Sequence, residues 1–460
     1  MSEGGDVVII GAGGGGYPAA FLLAAAGRRV VLVDPIGNLG GDCLAEGCVP
    51  SKAVRESALA LAQARAAARF GLRIGDCTVN WPGVLAHKDS VQRTRYAQHA
   101  EELGRSRVRL LQGAARIVGE RMVEVDSGQQ GRQRLSFEHL ILATGSAPQR
   151  LPIAGADLAI TSHDLFRLGA DLPFPSRPVI VGGGYIGVEC ASMLEHLGAR
   201  PVVLEYTAQL LPGFDADLAA FLHRSLAARV RVELNAEVTG IEAVAGGLTV
   251  RFLQAGQLCE VAGDAVIMAT GRRPVLPEGL EHLGLPATGA LGVDAGLRSE
   301  NPVVWAPGDV NGRSMLFHSA VRQSLVVAHN ILAGGQVADR MDFGSVPFTV
   351  FTEPELASVG LTEAAARERY GAVEVATYDY AVDARAQILG ETAGFIKLVC
   401  EPQTARLLGA QIAGVDAAQL VAPLALALAQ GLGARALAEV TFPHPMISEG
   451  INKAARQVLV

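Results

Sequence analysis

DVVIIGAGGGGYPAAFLLAAAGRRVVLVD, running from Asp6 to Asp34, reads as strand, glycine turn, helix and second strand. The uninterrupted apolar run Val7–Ile10 suits a parallel strand buried on both faces. Gly11, Gly13 and Gly16 have the dinucleotide spacing: the first permits the tight turn, the second a close approach of backbone to pyrophosphate, the third close packing of helix on strand. A pyrophosphate then sits on the helix N-terminus, where free N–H groups and the helix dipole favour an anion. Asp34 ends the second strand, placed to accept a hydrogen bond from a ribose hydroxyl.

The same sentence is written again in PVIVGGGYIGVECASMLEHLGARPVVLE, from Pro178 to Glu205. Gly182, Gly184, Gly187 and Glu205 each follow their counterparts by 171 positions, the distance from Gly11 to Gly182. One glycine triplet is weak evidence; two complete units with terminal acids predict two nucleotide-binding modules. LILATGSAP (Leu140–Pro148) and VIMATGRRP (Val266–Pro274) are a further matched pair of apolar strands ending in Ala-Thr-Gly, expected to close the first and second modules around Thr144, Gly145 and Gly271. VVWAPGDV (Val303–Val310) is another strand ending in a Gly-Asp turn. The order predicts that the chain begins one module, inserts the second, and returns to the first. The segment YTAQLLP after Glu205 has no arginine to meet a 2′-phosphate, so the second module is expected to take NAD.

Composition narrows the function classes. The 460 residues include 39 basic and 46 acidic side chains, a net charge of −7 without a basic run, which argues against a nucleic-acid partner. The longest apolar stretch, Ala417–Ala429, contains Gln419 and Pro423 and is shorter than the roughly 20 residues of a membrane span, so no membrane partner is expected. MSEGGDVVIIGAG carries no export pattern, and six cysteines are too few for a disulfide scaffold at this length; a cytoplasmic protein is expected.

GGDCLAEGCVPSKA (Gly40–Ala53) follows the first module directly. On a regular helix Cys43 and Cys48 would rise about 7.5 Å apart, whereas disulfide Cα atoms prefer about 4.4–6.8 Å. A pair therefore needs a distorted backbone, which Gly47 permits. A metal half-site and two unpaired thiols remain open on spacing alone, although no second ligand pair for a metal is visible. A dithiol beside a nicotinamide module calls for a flavin between them, since flavin accepts electrons from thiolates and exchanges hydride with NAD. The first module is thus expected to hold FAD. Near the C-terminus, His444 lies between Pro443 and Pro445, and Glu449 starts the last helix, an arrangement suited to a carboxylate-oriented imidazole base.

Taken together, GGDCLAEGCVPSKA, both glycine turns, both Ala-Thr-Gly turns, the Gly-Asp turn, VFTEPELASVGLTEAAAR (Val350–Arg367) and FPHPMISEG resemble the pyridine nucleotide-disulfide oxidoreductases over essentially the whole chain. The resemblance implies an α/β fold with two Rossmann-like dinucleotide-binding domains and a C-terminal α+β dimerisation domain. It divides the chain into residues 1–147 (first part of the FAD domain), 148–271 (NAD domain), 272–345 (return to the FAD and central part) and 346–460 (interface). It implies that Cys43 meets substrate, that Cys48 faces the flavin, and that Lys52 with Glu189 lies beside the flavin. It further implies that Tyr185 gates the nicotinamide pocket, that Asp309 binds the ribityl chain, and that His444 and Glu449 serve the cysteines of the other subunit of a homodimer.

Within the family the chain is most similar to the dihydrolipoamide dehydrogenases, which implies oxidation of a protein-bound dihydrolipoyl group with reduction of NAD. Ser51 and Glu205 differ from the usual glutathione reductase pattern, and no cysteine follows Cys400 as a second C-terminal pair. Phe442 and Met446 depart from the dihydrolipoamide dehydrogenase motif, and Asp42 and Glu46 place two carboxylates where common members are uncharged. Those two charges are expected to oppose thiolate formation and to repel an acidic partner. Reduction of another disulfide with NADH and non-enzymatic redox sensing are the alternative expectations.

Overall fold

The computed structural model describes residues 5–459; residues 1–4, on which part of the export reading rests, lie outside the described residues. The first sheet is parallel, in the order Val304–Trp305, His139–Leu142, Val7–Ile10, Val30–Asp34, Arg109–Gln112. Val7, Val8 and Ile9 are fully buried, as the unbroken apolar run requires. The second parallel sheet is ordered Arg231–Glu233, Val202–Leu204, Pro178–Val181, Ala265–Met268. Its strands all fall between the fourth and fifth strands of the first sheet in sequence, so the second module is inserted into the first. A two-stranded ribbon, Ser146–Pro148 against Arg272–Pro274, carries the chain out and back.

The two glycine turns are built alike. A Cβ on Gly16 would lie 1.9 Å from the Gly11 carbonyl oxygen, and one on Gly187 would lie 1.9 Å from that of Gly182. Only glycine lets each helix press onto its strand. The helices that follow, Tyr17–Ala25 and Tyr185–His196, have no N-cap side chain; in the first the Tyr17 and Ala19 amides donate to the Gly13 carbonyl and Ser324, whereas the second leaves its first amides for an anion.

Beyond Val346 a five-stranded antiparallel sheet runs in the order Phe348–Val350, Leu356–Gly360, Leu407–Ala413, Phe395–Cys400, Glu374–Asp379. The apolar stretch Ala417–Ala429 is a helix packed on this sheet through Leu420, Val421 and Leu424, with Leu426 left 63% exposed. Among the described residues no helix is long and apolar enough to cross a membrane.

This third part is tied to the second by Lys397. Its side chain is 3% exposed, and its Nζ lies 3.0 Å from Asp215, 2.7 Å from Asp217 and 2.8 Å from Glu363. Asp215 is also the N-cap of the helix Ala216–Ala227, so one carboxylate fixes a helix start and an inter-sheet contact together. Lys397→Met leaves that buried carboxylate unpaired and is expected to destabilise the protein by about 3 kcal/mol; an unchanged unfolding midpoint in a thermal melt contradicts this reading.

Candidate active site

The cysteines sit on two helices broken apart as the spacing demands. Gly41–Ala45 ends at Glu46, and Gly47 has φ −122° and ψ −110°, outside the helical region, before Cys48–Ala66 begins. A Cβ on Gly47 would stand 3.1 Å from the Asp42 carbonyl oxygen. The break brings the side chains of Cys43 and Cys48 into contact. The contact with Cys48, together with burial, pushes the Cys43 thiol well above its ordinary range. The same contact lowers Cys48, burial opposes it, and the Lys52 ammonium adds to the lowering. The ammonium beside it favours a thiolate at Cys48.

Lys52, one turn along the same helix, has its Nζ 2.8 Å from Glu189 Oε2 and 4.5 Å from the centre of the Phe351 ring. The other Glu189 oxygen accepts a 2.9 Å hydrogen bond from the Phe351 amide. Arg55 follows one turn later, 2.8 Å from Glu355 and bonded to the Phe351 carbonyl at 3.0 Å. The cysteine helix is thereby held to the second module through Glu189 and to the C-terminal part through Phe351 and Glu355. Phe351 is a site residue that the sequence reading missed.

Both terminal acids fold back onto their own glycine turns. Asp34 accepts from the Ala12 and Ile36 amides at 2.9 and 2.8 Å; Glu205 accepts from the Gly183 and Thr207 amides at 2.6 and 2.7 Å. Burial raises the Asp34 carboxyl against those bonds. Each acid locks the turn against the end of its neighbouring strand. A Cβ on Gly184 would meet nothing within 4 Å, so this turn leaves the close approach that a pyrophosphate needs. In the first module the Ala143 carbonyl packs on Gly11, with Thr144 and Gly145 following it; Thr144 Oγ1 donates to the Val275 carbonyl. Asp309 accepts a 2.6 Å hydrogen bond from Ser146, and burial raises its carboxyl. The residues fit a dinucleotide along the first sheet: a glycine turn and a buried acid.

A cavity of about 390 Å³ opens between the modules, walled by Gly184, Tyr185, Gly271, Arg272, Arg313 and Leu316. Tyr185 stands edge-on to Phe348 at 5.3 Å, and burial pushes its hydroxyl up to about 12. Arg272 and Arg313 were not singled out in the sequence, although Arg272 directly follows Gly271.

His444 and Glu449 form the expected pair: Nδ1 lies 2.9 Å from Oε2, and the Met446 amide donates to the same oxygen at 3.3 Å. Burial acts against the Glu449 carboxylate, but the bonds from His444 and Met446 prevail and hold it below its usual range. The imidazole is 70% exposed, and neither residue hydrogen-bonds to Cys43 or Cys48 within the described chain.

Asp42 and Glu46 do not stand alone beside the cysteines. His163 Nε2 lies 2.7 Å from Asp42 and its Nδ1 2.8 Å from Glu46, while Arg272 Nη2 lies 2.7 Å from the other Asp42 oxygen. Burial raises the Asp42 carboxyl, yet His163 and Arg272 outweigh it and hold the group low. Two cations thus face the two carboxylates, while Asp42 still raises both thiols, as expected. Burial by itself lowers His163, but Asp42 and Glu46 overcome it and raise the imidazole from 6.5 to about 9. A group raised on folding stabilises fully below its unfolded value and loses that contribution through its folded value. The gap in unfolding midpoint between the wild type and His163→Gln is therefore expected to be widest below about pH 6.5 and to close as pH passes about 9; a gap constant across that range, followed by thermal melts, contradicts the pairing.

Comparison with known proteins agrees with this geometry. Residues 5–324 match the pyridine nucleotide-disulphide oxidoreductases, and residues 346–455 match the dimerisation domain of that family. The dihydrolipoyl dehydrogenase of Geobacillus stearothermophilus is 34% identical over 438 residues, 94% of this chain and 92% of the relative. A glutathione reductase of Burkholderia cepacia is 34% identical over 409 residues, 87% of each chain. Among solved structures, the Cu(II) complex of the HOCl-induced flavoprotein disulfide reductase RclA from Escherichia coli superposes with a TM-score of 0.87 at 28% identity, over 100% of both chains. FAD and a nicotinamide dinucleotide are the cofactors of these enzymes. With both parts of the fold matched and these relatives spanning nearly its whole length, the chain belongs to the pyridine nucleotide-disulfide oxidoreductases.

Proposed function

We propose that this protein oxidises protein-bound dihydrolipoamide to lipoamide and reduces NAD, working in the cytoplasm as a homodimer. The observation that carries the reading is the 2.9 Å bond between His444 and Glu449, a proton acceptor with its orienting carboxylate. A dithiol donor must lose protons before it can attack, and such a pair supplies the base. The exposed Leu426 and Met446, at 63% and 41%, lie in the matched dimerisation region and support a subunit contact there. In that dimer His444 of the partner subunit serves each cysteine pair.

With Nδ1 held by Glu449, the other ring nitrogen takes the proton of one dihydrolipoyl thiol. The thiolate attacks Cys43 Sγ of the oxidised pair; the Cys43–Cys48 bond breaks, and Cys48 leaves as a thiolate beside Lys52. The second lipoyl thiol then attacks the lipoyl sulfur of the mixed disulfide, Cys43 leaves and takes up that proton, and the lipoyl disulfide departs. FAD, when bound, accepts the electron pair of the reduced cysteines and delivers hydride to NAD. Gly11, Gly13 and Gly16 would hold its pyrophosphate, and Asp34, Lys52, Thr144, Gly145 and Asp309 would bind the rest of it. The second module presents Gly182, Gly184, Gly187 and Glu205 to NAD, and Tyr185, Glu189 and Gly271 border its nicotinamide. Glu205, with no arginine in the seven residues after it, favours the free ribose of NAD over the phosphate of NADP.

A second reading, reduction of another disulfide by NADH, is favoured by the glutathione reductase and RclA relatives and by Phe442 and Met446 near the proposed base. Purified FAD-loaded protein separates the two: fast NAD reduction by dihydrolipoamide or a reduced lipoyl protein supports the first, and turnover only with other disulfides and NADH supports the second. His444→Gln is expected to cut dihydrolipoamide turnover by roughly 10²–10⁴-fold while sparing flavin reduction by NADH in stopped flow; equal loss in both sinks the assignment. Cys43→Ser should retain a long-wavelength flavin absorption from the Cys48 thiolate, and its absence would mean that the two cysteines have been given the wrong roles.

A further inference from the structure

Asp42, Glu46, His163 and Arg272 come from three separate stretches and meet beside the cysteine loop. Two come from the loop itself, one from the short helix Ser162–Phe166, and one from the ribbon strand Arg272–Pro274. His163 bridges Asp42 and Glu46 at 2.7 and 2.8 Å, using both ring nitrogens. Arg272, whose side chain is 9% exposed, binds Asp42 at 2.7 Å and fixes itself on Ser146 Oγ and carbonyl at 2.8 and 2.9 Å. The 3.3 Å approach of Arg272 Nη1 to His163 Nε2 sets two cations side by side, with Asp42 between them in charge.

The supports of this cluster are also specific. Gln92 donates to the Leu44 and Ala45 carbonyls at 3.0 and 2.8 Å, closing the end of the first cysteine helix. One helical turn earlier, Lys88 donates to the Phe166 and Arg167 carbonyls at 3.2 and 2.7 Å, closing the helix that carries His163. Lys88 and Gln92 are both fully buried and bonded to each other at 3.0 Å. One face of the helix Trp81–Arg105 thus holds both halves of the cluster in register. Thr161 and Asp164 form a capping box around the first turn of the His163 helix, which fixes where the imidazole points.

We propose that His163, with Arg272, is a positioning residue that clamps Asp42 and Glu46, holding the cysteine loop against the second module and offsetting two charges that oppose thiolate formation at Cys43 and Cys48. The clamp rests on the reading of those cysteines as the redox pair. Other ionisable groups face the same region. Lys52 and Glu189 flank Cys48, and Tyr185 lies close to it; Tyr17 faces Cys43; Tyr96 faces Glu46; Asp309 sits behind Arg272 through Ser146. The four clamp residues combine two formal negative and two formal positive charges in direct contact, so removing one at a time changes the local charge in a chosen direction.

The test is a charge cycle read by alkylation. Reduced, FAD-loaded wild type, His163→Ala, Glu46→Gln and the double variant are treated with iodoacetamide across a pH series, and labelling at Cys43, Cys48 and the exposed Cys77 is separated by peptide mass. His163→Ala should raise the pH midpoint of labelling of the pair and slow it at neutral pH on the order of tenfold. Glu46→Gln should shift it the opposite way, and the double variant should return close to wild type. A purely structural role predicts that both single changes act in the same direction and that the double is worse than either, which would overturn the clamp. If His163→Ala fails to hold FAD, Glu46→Gln decides alone: faster labelling supports the clamp, and unchanged or slower labelling overturns it. A wild-type pair that reacts no faster than Cys77 removes the redox-pair reading and the clamp with it; a fast pair with unshifted midpoints removes only the clamp.

Discussion

The broken helix at Glu46 and Gly47 is the constraint on which the site depends. A continuous helix through this segment would carry Cys43 and Cys48 about 7.5 Å apart along its axis. Instead the backbone leaves the helical region for two residues, and the thiols touch. The break also aims the two carboxylates on either side of it, Asp42 and Glu46, at one imidazole. Geometry that pairs the cysteines therefore brings two carboxylates beside them, and His163 and Arg272 offset those charges in the same place.

Charge pairing recurs wherever separate parts of the chain must keep a fixed distance. Lys52–Glu189 joins the cysteine helix to the second module, Arg55–Glu355 joins it to the C-terminal part, and Lys397–Asp215 joins the second module to the C-terminal sheet. A buried ion pair adds little net stability compared with apolar packing, but it discriminates strongly against a displaced partner, because displacement strands a charge away from water. Apolar packing supplies the bulk of each part, and these pairs set how the parts meet around the thiols.

Much of the fold was legible because its signals are local. Each module writes strand, glycine turn, helix, strand and acid within about thirty residues, and the repeat at 171 positions confirms the pattern internally. The return of the chain to the first module through VVWAPGDV was readable for the same reason, and Val304–Trp305 does lie beside His139–Leu142. The two cysteines and the His444–Glu449 pair are likewise close in sequence. What sequence did not expose depends on contacts between distant stretches. Nothing around His163 in TSHDLF marks it as a partner of Asp42, and the fully buried Lys88 and Gln92 look like ordinary polar residues of a long helix. Arg272 lay beside a glycine already singled out, yet its partner Asp42 stands 2.7 Å away only after the ribbon folds back. Asp42 opposes both thiolates as its charge suggests, but the two cations that face the carboxylate pair were not visible in the sequence.

The central claim is that Cys43 and Cys48 exchange electrons with a bound flavin. Anaerobic reductive titration of the FAD-loaded protein with dithionite, followed by absorbance, counts the electrons directly. The account predicts about four electron equivalents per chain, two for the flavin and two for the cysteine pair. Complete reduction after about two, in protein whose cysteines begin oxidised, would contradict it.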